Sequence, residues 1–188
     1  MIEQCGKLHL AGVDFQVADA EEYSAQEPAD LIIASSSFQW FSDFGAVARR
    51  FAGWLSERGR VAFAVPVSGS LPELDASYRR AIGRTMPRTV FRLADDYRSD
   101  LTGAGLGFVL WQMERVVVEY RSAEDVLSAL KGIGATGMSA GNGASPLLSR
   151  SELAALMEHY SASFRTAGGL VPCTYEVLYA VAEMGATR

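Results

Sequence analysis

The sequence predicts an α/β fold with a largely parallel sheet, and three observations support that prediction. Two short apolar runs, Asp30–Ser35 and Arg60–Val67, are typical of buried parallel strands. The segment between them carries apolar residues at helical spacing, as a crossover helix does. A length of 188 residues, with 49% hydrophobic and 21% charged residues, suits one domain with a substantial core.

The first part of the chain predicts helices and strands in alternation. Its elements are, in order, a helix at Met1–Leu10 closed by Gly12, an alternating strand at Val13–Ala18, a strand at Asp30–Ser35, a helix capped by Ser42 or Asp43 that ends near Gly59, and a strand at Arg60–Val67. This spacing favours a parallel sheet with helices packed on it.

The second part predicts helices on both sides of a long strand. Its elements are helices at Leu71–Gly83 and Leu93–Leu101 separated by Pro87, a strand at Phe108–Tyr120, a helix at Ala123–Lys131, a glycine-rich loop at 132–146, a helix at Arg150–Ala162 capped by Ser149 or Ser151, and a strand at Thr174–Ala182.

Two glycine patterns mimic nucleotide-binding motifs without their context. Gly132, Gly134 and Gly137 spell G-x-G-x-x-G, but a helix precedes them and a loop follows, whereas the dinucleotide motif needs a strand and then a helix. The segment Gly103–Gly107 spells G-x-G-x-G between a polar helix and a strand, so we interpret it as a turn. Neither pattern predicts a phosphate site.

Composition excludes several classes of function. A net charge of −5 disfavours nucleic-acid binding, and no apolar run is long enough to cross a bilayer. The absence of a signal-like N-terminus predicts a cytoplasmic protein, and Cys5 and Cys173 form neither a disulfide framework nor a metal-ligand pattern. Five arginines crowd one segment, which is either a solvated helix face or a docking patch for an acidic partner: Arg79, Arg80, Arg84, Arg88 and Arg92.

Three fragments of the first half resemble class I S-adenosylmethionine-dependent methyltransferases. They are Val17–Glu21, which is similar to the segment after the third strand of that fold, Ala29–Trp40, which is similar to the fourth strand and its exit loop, and Leu55–Phe63, which is similar to the turn into the fifth strand. The resemblance implies a Rossmann-like sheet with strand order 3-2-1-4-5-7-6.

Four further fragments resemble the malonyl-acyl-carrier-protein O-methyltransferases of biotin synthesis: Gly69–Leu74, Leu130–Thr136, Leu148–Leu153 and Pro172–Val177. This resemblance implies a helical cap at residues 122–170, inserted before the last strand of a single domain whose sheet core comprises 1–121 and 171–188. It also implies S-adenosylmethionine as cofactor and an acyl carrier protein as partner.

The resemblance implies roles for individual residues. Asp19 and Ala20 would lie beside the adenine of the donor, and Ser35 would contact the donor from the end of its strand. Gln39 and Trp40 would frame the methyl group and the acceptor. On the substrate side it implies contacts from Lys131, Gly132 and Gly134 with the acyl thioester, and from Arg79, Arg80 and Arg84 with the carrier protein. The alternatives are purely structural roles: a turn cap for Asp19, core packing for Trp40 and a favourable interaction with the helix dipole for Lys131.

One part of the family pattern has no counterpart in this sequence, namely the first strand, its G-x-G-x-G turn and the second strand with its terminal acid. We therefore expect an incomplete class I sheet. We expect that it either pairs the strands at 13–18 and 30–35 directly, forms a homodimer through the exposed edge, or binds a complementing N-terminal polypeptide. The function implied is methylation of a free malonyl carboxylate, with a non-catalytic carrier-protein-binding subunit or a small-molecule methyltransferase as alternatives.

Overall fold

The computed structural model describes residues 5–6, 10–84, 91–132 and 148–185. Four strands and five α-helices follow one another in that part of the chain. They are β1 (Ala29–Ser35), a 3-10 turn (Phe38–Trp40), α1 (Phe44–Trp54), β2 (Leu55–Pro66), α2 (Pro72–Ile82), α3 (Ala94–Gly103), β3 (Leu106–Tyr120), α4 (Ala123–Gly132), α5 (Arg150–Phe164) and β4 (Val171–Met184).

The four strands form one mixed sheet in the order β1-β2-β4-β3. β1 and β2 are parallel, and β4 runs antiparallel to both of its neighbours. This order reproduces the last four positions, 4-5-7-6, of the strand order that the resemblance implied. The predicted α/β class with an incomplete Rossmann-like sheet is confirmed.

The predicted strand at Val13–Ala18 is wrong. Residues 13–18 have no regular secondary structure and are exposed. A strand needs a hydrogen-bonded neighbour, and within the described residues β1 pairs with β2 alone. Residues 13–18 therefore do not pair with β1. β1 lies at one edge of the described sheet.

The other elements confirm the predicted order, with shifted ends. The helix expected to run to Gly59 ends at Trp54, because Leu55 is already extended and pairs with Ala29. The segment Gly103–Gly107 is a turn from helix to strand, as predicted, with Gly105 at φ +87°. The helix predicted at 1–10 and the glycine-rich loop at 132–146 lie mostly outside the described residues.

Residues next to the helices determine where three of them begin or end. Asp43 caps α1 by accepting a hydrogen bond from the Ala46 N–H at 2.9 Å. Of the two serines predicted to cap α5, Ser149 does so in a capping box with Glu152. Gly83 closes α2 in the left-handed conformation, with φ +71°.

The main core lies between one face of the sheet and helices α1 and α3. Alternate residues of β2 point into it, because a strand turns successive side chains to opposite faces. The fully or nearly fully buried members include Val61, Phe63 and Val65 from β2, Val47 and Phe51 from α1, Tyr97 and Leu101 from α3, and Leu178, Ala180 and Ala182 from β4.

A second core lies above the carboxyl end of β2. The antiparallel pair of β3 and β4 extends past the end of β2, so among the described residues the outer half of this pair has no strand beside it on the β2 side. Helices α2, α4 and α5 pack against that half. The buried members are Leu71, Leu74, Tyr78, Ala123, Val126, Leu130, Leu156, Met157, Tyr160, Val171 and Cys173.

Candidate functional site

The candidate site begins at the carboxyl end of β1, where ligands bind in open α/β sheets. Ser36 follows the strand with φ +50°, in the left-handed region that non-glycine residues rarely adopt. Its N–H donates to the Ala64 carbonyl at 2.8 Å, which keeps it joined to β2. The local strain costs of the order of 1 kcal/mol, so neighbouring contacts must hold this turn in place.

Gln39 and Trp40 supply those contacts. The Ser36 carbonyl accepts hydrogen bonds from Gln39 Nε2 at 2.8 Å and from Trp40 Nε1 at 3.2 Å. Gln39 is only 5% exposed, and its Oε1 has no hydrogen-bond partner among the described residues. Trp40 is 42% exposed, so its ring presents an open surface. Gln39 therefore lies inside the turn, whereas Trp40 can contact a ligand directly.

Asp19 and Ala20 lie in an exposed turn before β1. Asp19 Oδ1 accepts from the Glu21 N–H at 2.9 Å, and the Asp19 carbonyl accepts from the N–H groups of Glu22 and Tyr23. Asp19 thus caps a turn, which is the structural role predicted as the alternative to donor binding. Its exposed carboxylate still offers an oxygen to a ligand, and its proposed role toward adenine stays a prediction.

Glu21 joins this turn to the segment that leads into α1. Its Oε1 accepts from the Ser42 N–H at 2.9 Å, the Ser42 hydroxyl at 2.8 Å and the Asp43 N–H at 3.2 Å. These donors lower the pKa of the Glu21 carboxyl, the Ser42 hydroxyl most strongly. The predicted residues did not include Glu21, because its partners lie 21 positions further along the chain.

We expect replacement of Glu21 by glutamine to weaken the fold at neutral pH by about 1 kcal/mol, because a neutral amide accepts these hydrogen bonds less strongly. The folded pKa lies below the ordinary value of 4.5, so the carboxylate's contribution is complete above 4.5 and disappears as pH falls through the lowered pKa. Urea unfolding at a series of pH values tests this. The difference between wild type and Glu21→Gln should shrink in acid, and Glu22→Gln serves as the exposed control. A constant difference down to low pH would contradict the prediction.

The residues predicted to contact substrate lie on the second core. Lys131 and Gly132 are exposed at the end of α4, while Gly134 lies outside the described residues. Arg79, Arg80 and Arg84 are exposed at the end of α2, which packs on α5. The residues predicted to contact the donor thus lie in β1, its exit loop and the turn before it, whereas the described residues predicted to contact substrate lie at the ends of α2 and α4.

The arginine cluster divides into three groups. Arg79 pairs with Asp75 at 2.5 Å and Arg84 pairs with Glu152 of α5 at 2.8 Å, so both are partly neutralised. Arg80 is exposed and has no ion pair among the described residues. Arg92 lies apart, paired with Asp100 and stacked 5.0 Å from the Tyr97 ring centroid, and Arg88 lies outside the described residues.

A buried carboxylate joins α2, in the second core, to β4 of the sheet by hydrogen bonds. The sequence did not predict this contact. Glu73, only 8% exposed, accepts from the Thr174 N–H at 3.1 Å and also from the Thr174 hydroxyl. Nearby, the Leu71 N–H donates to the Thr174 carbonyl at 2.7 Å. These bonds satisfy the edge of β4 where β2 has ended, and they fix the start of α2 relative to the site.

Curated relatives match most of this chain. Malonyl-acyl-carrier-protein O-methyltransferases from Porphyromonas gingivalis, Geobacter sulfurreducens and Alcanivorax borkumensis are 29%, 32% and 34% identical, over 94%, 89% and 88% of this chain. The chain spans 65%, 64% and 55% of their respective lengths. No protein-family model matches the chain.

Solved structures share the fold. The YcgJ protein of Bacillus subtilis superposes with a TM-score of 0.62 at 12% identity, covering 98% of this chain and 76% of its own. A putative methyltransferase from Bacillus halodurans gives 0.61 at 9% identity, covering 98% and 77%. Identities this low establish the likeness of fold alone. None of the described helices is long and apolar enough to span a membrane.

Proposed function

We propose that this chain serves the reaction of the malonyl-acyl-carrier-protein O-methyltransferases, to which it is 29–34% identical over 88–94% of its length. The reaction is methylation of the free carboxylate of a malonyl thioester on an acyl carrier protein, with S-adenosylmethionine as donor, in biotin synthesis. One observation carries the proposal. The exit loop of β1 lies at the same end of the sheet as the second core, because β1 and β2 are parallel and that core packs beyond the carboxyl end of β2. A donor site at the exit loop and an acceptor surface on the helices can therefore meet at that end.

The described residues fit one wall of a donor site. Asp19, Ala20 and Ser35 are all exposed, and the turn at Asp19 is joined through Glu21 to the residues that follow the exit loop. A ligand of this size is usually buried over most of its surface, which an exposed wall alone does not achieve. We propose that a further segment, lying beside β1, completes the site.

S-adenosylmethionine, when bound, supplies the activated methyl group that the malonyl carboxylate takes up by in-line displacement. The acceptor is already ionised at neutral pH, so the protein does not need a strong base. Its part is to position the acceptor and to exclude water. Gln39 acts as a positioning residue by holding the Ser36 carbonyl, and the exposed Trp40 ring provides a surface against which the acceptor packs.

The end of α2 is the proposed contact for the carrier protein, because such proteins are acidic and arginine suits carboxylate and phosphate recognition. Arg80 is the strongest candidate there. Arg79 and Arg84 already have acidic partners in the chain. Lys131 and Gly132, at the end of α4, would approach the thioester arm.

Reversing the charge at Arg80 is the test of this contact. We expect Arg80→Glu to weaken binding of a malonylated carrier protein at least about fivefold, and the loss to shrink at high salt. Arg50→Glu makes the same change on the solvent face of α1 and should leave binding unchanged. Titration calorimetry in low and high salt measures both. Equal affinity of the wild type and both variants would remove α2 from the docking surface.

A second candidate function is that of a non-catalytic carrier-protein-binding subunit, favoured by the open edge of β1. Binding of S-adenosylmethionine distinguishes the two candidate functions. A non-catalytic subunit would bind the carrier protein with or without a segment beside β1 and would not bind the donor in either case. A small-molecule methyltransferase would bind the donor and ignore the carrier protein.

A further inference from the structure

Among the described residues, the outer edge of β3 has few of the features that usually protect a sheet edge. Edge strands normally carry charged residues, especially lysine, or proline or frequent bulges, which prevent pairing with another chain. The charged residues of β3 are Glu114, Arg115 and Glu119. β3 runs for fifteen residues, has neither lysine nor proline, and is irregular only between Phe108 and Leu110. From Leu110 to Tyr120 it is a regular strand with one hydrogen-bonded neighbour, β4, among the described residues.

This strand also exposes large apolar side chains. Met113 is 44% exposed, Val117 52% and Val118 38%. Val117 and Val118 point to opposite faces, so both faces of the strand are apolar at this end. A long, regular and apolar edge is a template for adding a further strand.

Symmetry limits how a second copy can pair with this edge. In a two-fold antiparallel contact one residue of β3 faces itself, and residues equally distant on either side face each other. Centring the contact on Glu114 or Arg115 places like charges directly opposite. Centring it on Met113 includes the irregular segment, and centring it on Val116 places every charged residue opposite an uncharged one.

Centring the contact on Val117 gives the most favourable set of pairs. Arg115 then faces Glu119 of the second copy, and the symmetry repeats that ion pair. Val116 faces Val118 on the other side of the sheet, also twice. Both charged residues are exposed, and Arg115, whose side chain is 71% exposed, bonds Glu176 of its own chain at 2.7 Å while leaving room for a second carboxylate.

We propose that two copies of this chain associate through β3, antiparallel and centred on Val117, to form one continuous eight-stranded sheet. The occupant of this edge is a second copy because the charges are self-complementary in that register alone among those compared. The contact lies at the opposite end of the sheet from β1. It is therefore independent of the proposed donor segment beside β1.

Charge reversal tests the register directly. Glu119→Arg places two guanidinium groups opposite each other in both halves of the contact, and Arg115→Glu does the same with carboxylates. We expect either variant to weaken association at least about tenfold. Mixed in equal amounts, the two variants should associate, because every pair across the mixed contact is then oppositely charged. Arg50→Glu is the control for charge reversal on another exposed surface.

Light scattering coupled to size exclusion, over a concentration series, measures the mass of each sample, and circular dichroism checks that each variant is folded. The expected result is a wild type of two-chain mass, single variants of one-chain mass and a two-chain mixture. A wild type of one-chain mass at every concentration would overturn the proposal. So would a two-chain wild type whose mass is unchanged by Glu119→Arg, since the contact would then lie elsewhere.

Discussion

Replacing Phe38 by alanine is expected to lower the free energy of unfolding by about 3–5 kcal/mol, the usual cost of removing a large buried aromatic side chain. Phe38 is 2% exposed, and four aromatic rings surround it. Their centroids lie at 4.9 Å (Phe44), 5.0 Å (Phe63), 5.6 Å (Phe51) and 5.7 Å (Phe41). The chain cannot fill such a cavity without moving the exit loop of β1.

Urea unfolding of Phe38→Ala and of the milder Phe38→Leu measures the effect. Leucine keeps most of the volume, so its cost should stay near 1 kcal/mol. Because Phe38 begins the turn that carries Gln39 and Trp40, the alanine variant should also disturb the bonds to the Ser36 carbonyl. A loss below about 1 kcal/mol for Phe38→Ala would show that this aromatic cluster does not hold the exit loop.

The second large effect concerns the donor. We expect the chain alone to bind S-adenosylmethionine weakly, and a segment docked beside β1 to raise the affinity at least about a thousandfold, equivalent to ~4 kcal/mol. Leu31 and Ile33 are the reason to place that segment there. They are 52% and 72% exposed and point to the same side of the edge strand, where the described residues provide no cover.

Ile33→Asp separates docking from folding. Ile33 is already exposed, so the charge should change the stability of the chain by less than about 1 kcal/mol while preventing the segment from covering this face. Leu93→Asp makes a similar change at a residue that is 58% exposed and lies outside the sheet. Calorimetry with the part of the Geobacter relative outside the matched region measures the affinity for that part and, in its presence, for the donor. Tight donor binding by the chain alone would contradict this account.

The sequence was sufficient for what depends on local pattern. Apolar runs located β1 and β2. Two helix starts were located to within two residues, because the predicted caps, Ser42 or Asp43 and Ser149 or Ser151, include the observed caps Asp43 and Ser149. The resemblance to class I methyltransferases also predicted the order of the four described strands, 4-5-7-6. The strand expected at 13–18 failed for a tertiary reason, because alternation describes a strand and does not provide its neighbour.

The site was less predictable for the same reason. Gln39 and Trp40 were predicted as site residues, and that role stays a prediction. The left-handed conformation of Ser36, whose carbonyl their side chains bond, has no signature in the sequence. Glu21 and Glu73 bond residues 21 and 101 positions away, so no spacing rule could identify them. The arginine cluster looked uniform in sequence, and only packing separates Arg92 from Arg80.

The most direct test of the proposed function is methyl ester formation on a malonylated carrier protein. The assay combines this chain, the part of the Geobacter relative outside the matched region and labelled S-adenosylmethionine. We expect labelled ester from the combination, little from the chain alone, and a loss of product with Ile33→Asp. If the combination binds both the donor and the carrier protein tightly but transfers no label to the malonyl carboxylate, the proposed methyltransferase function is wrong.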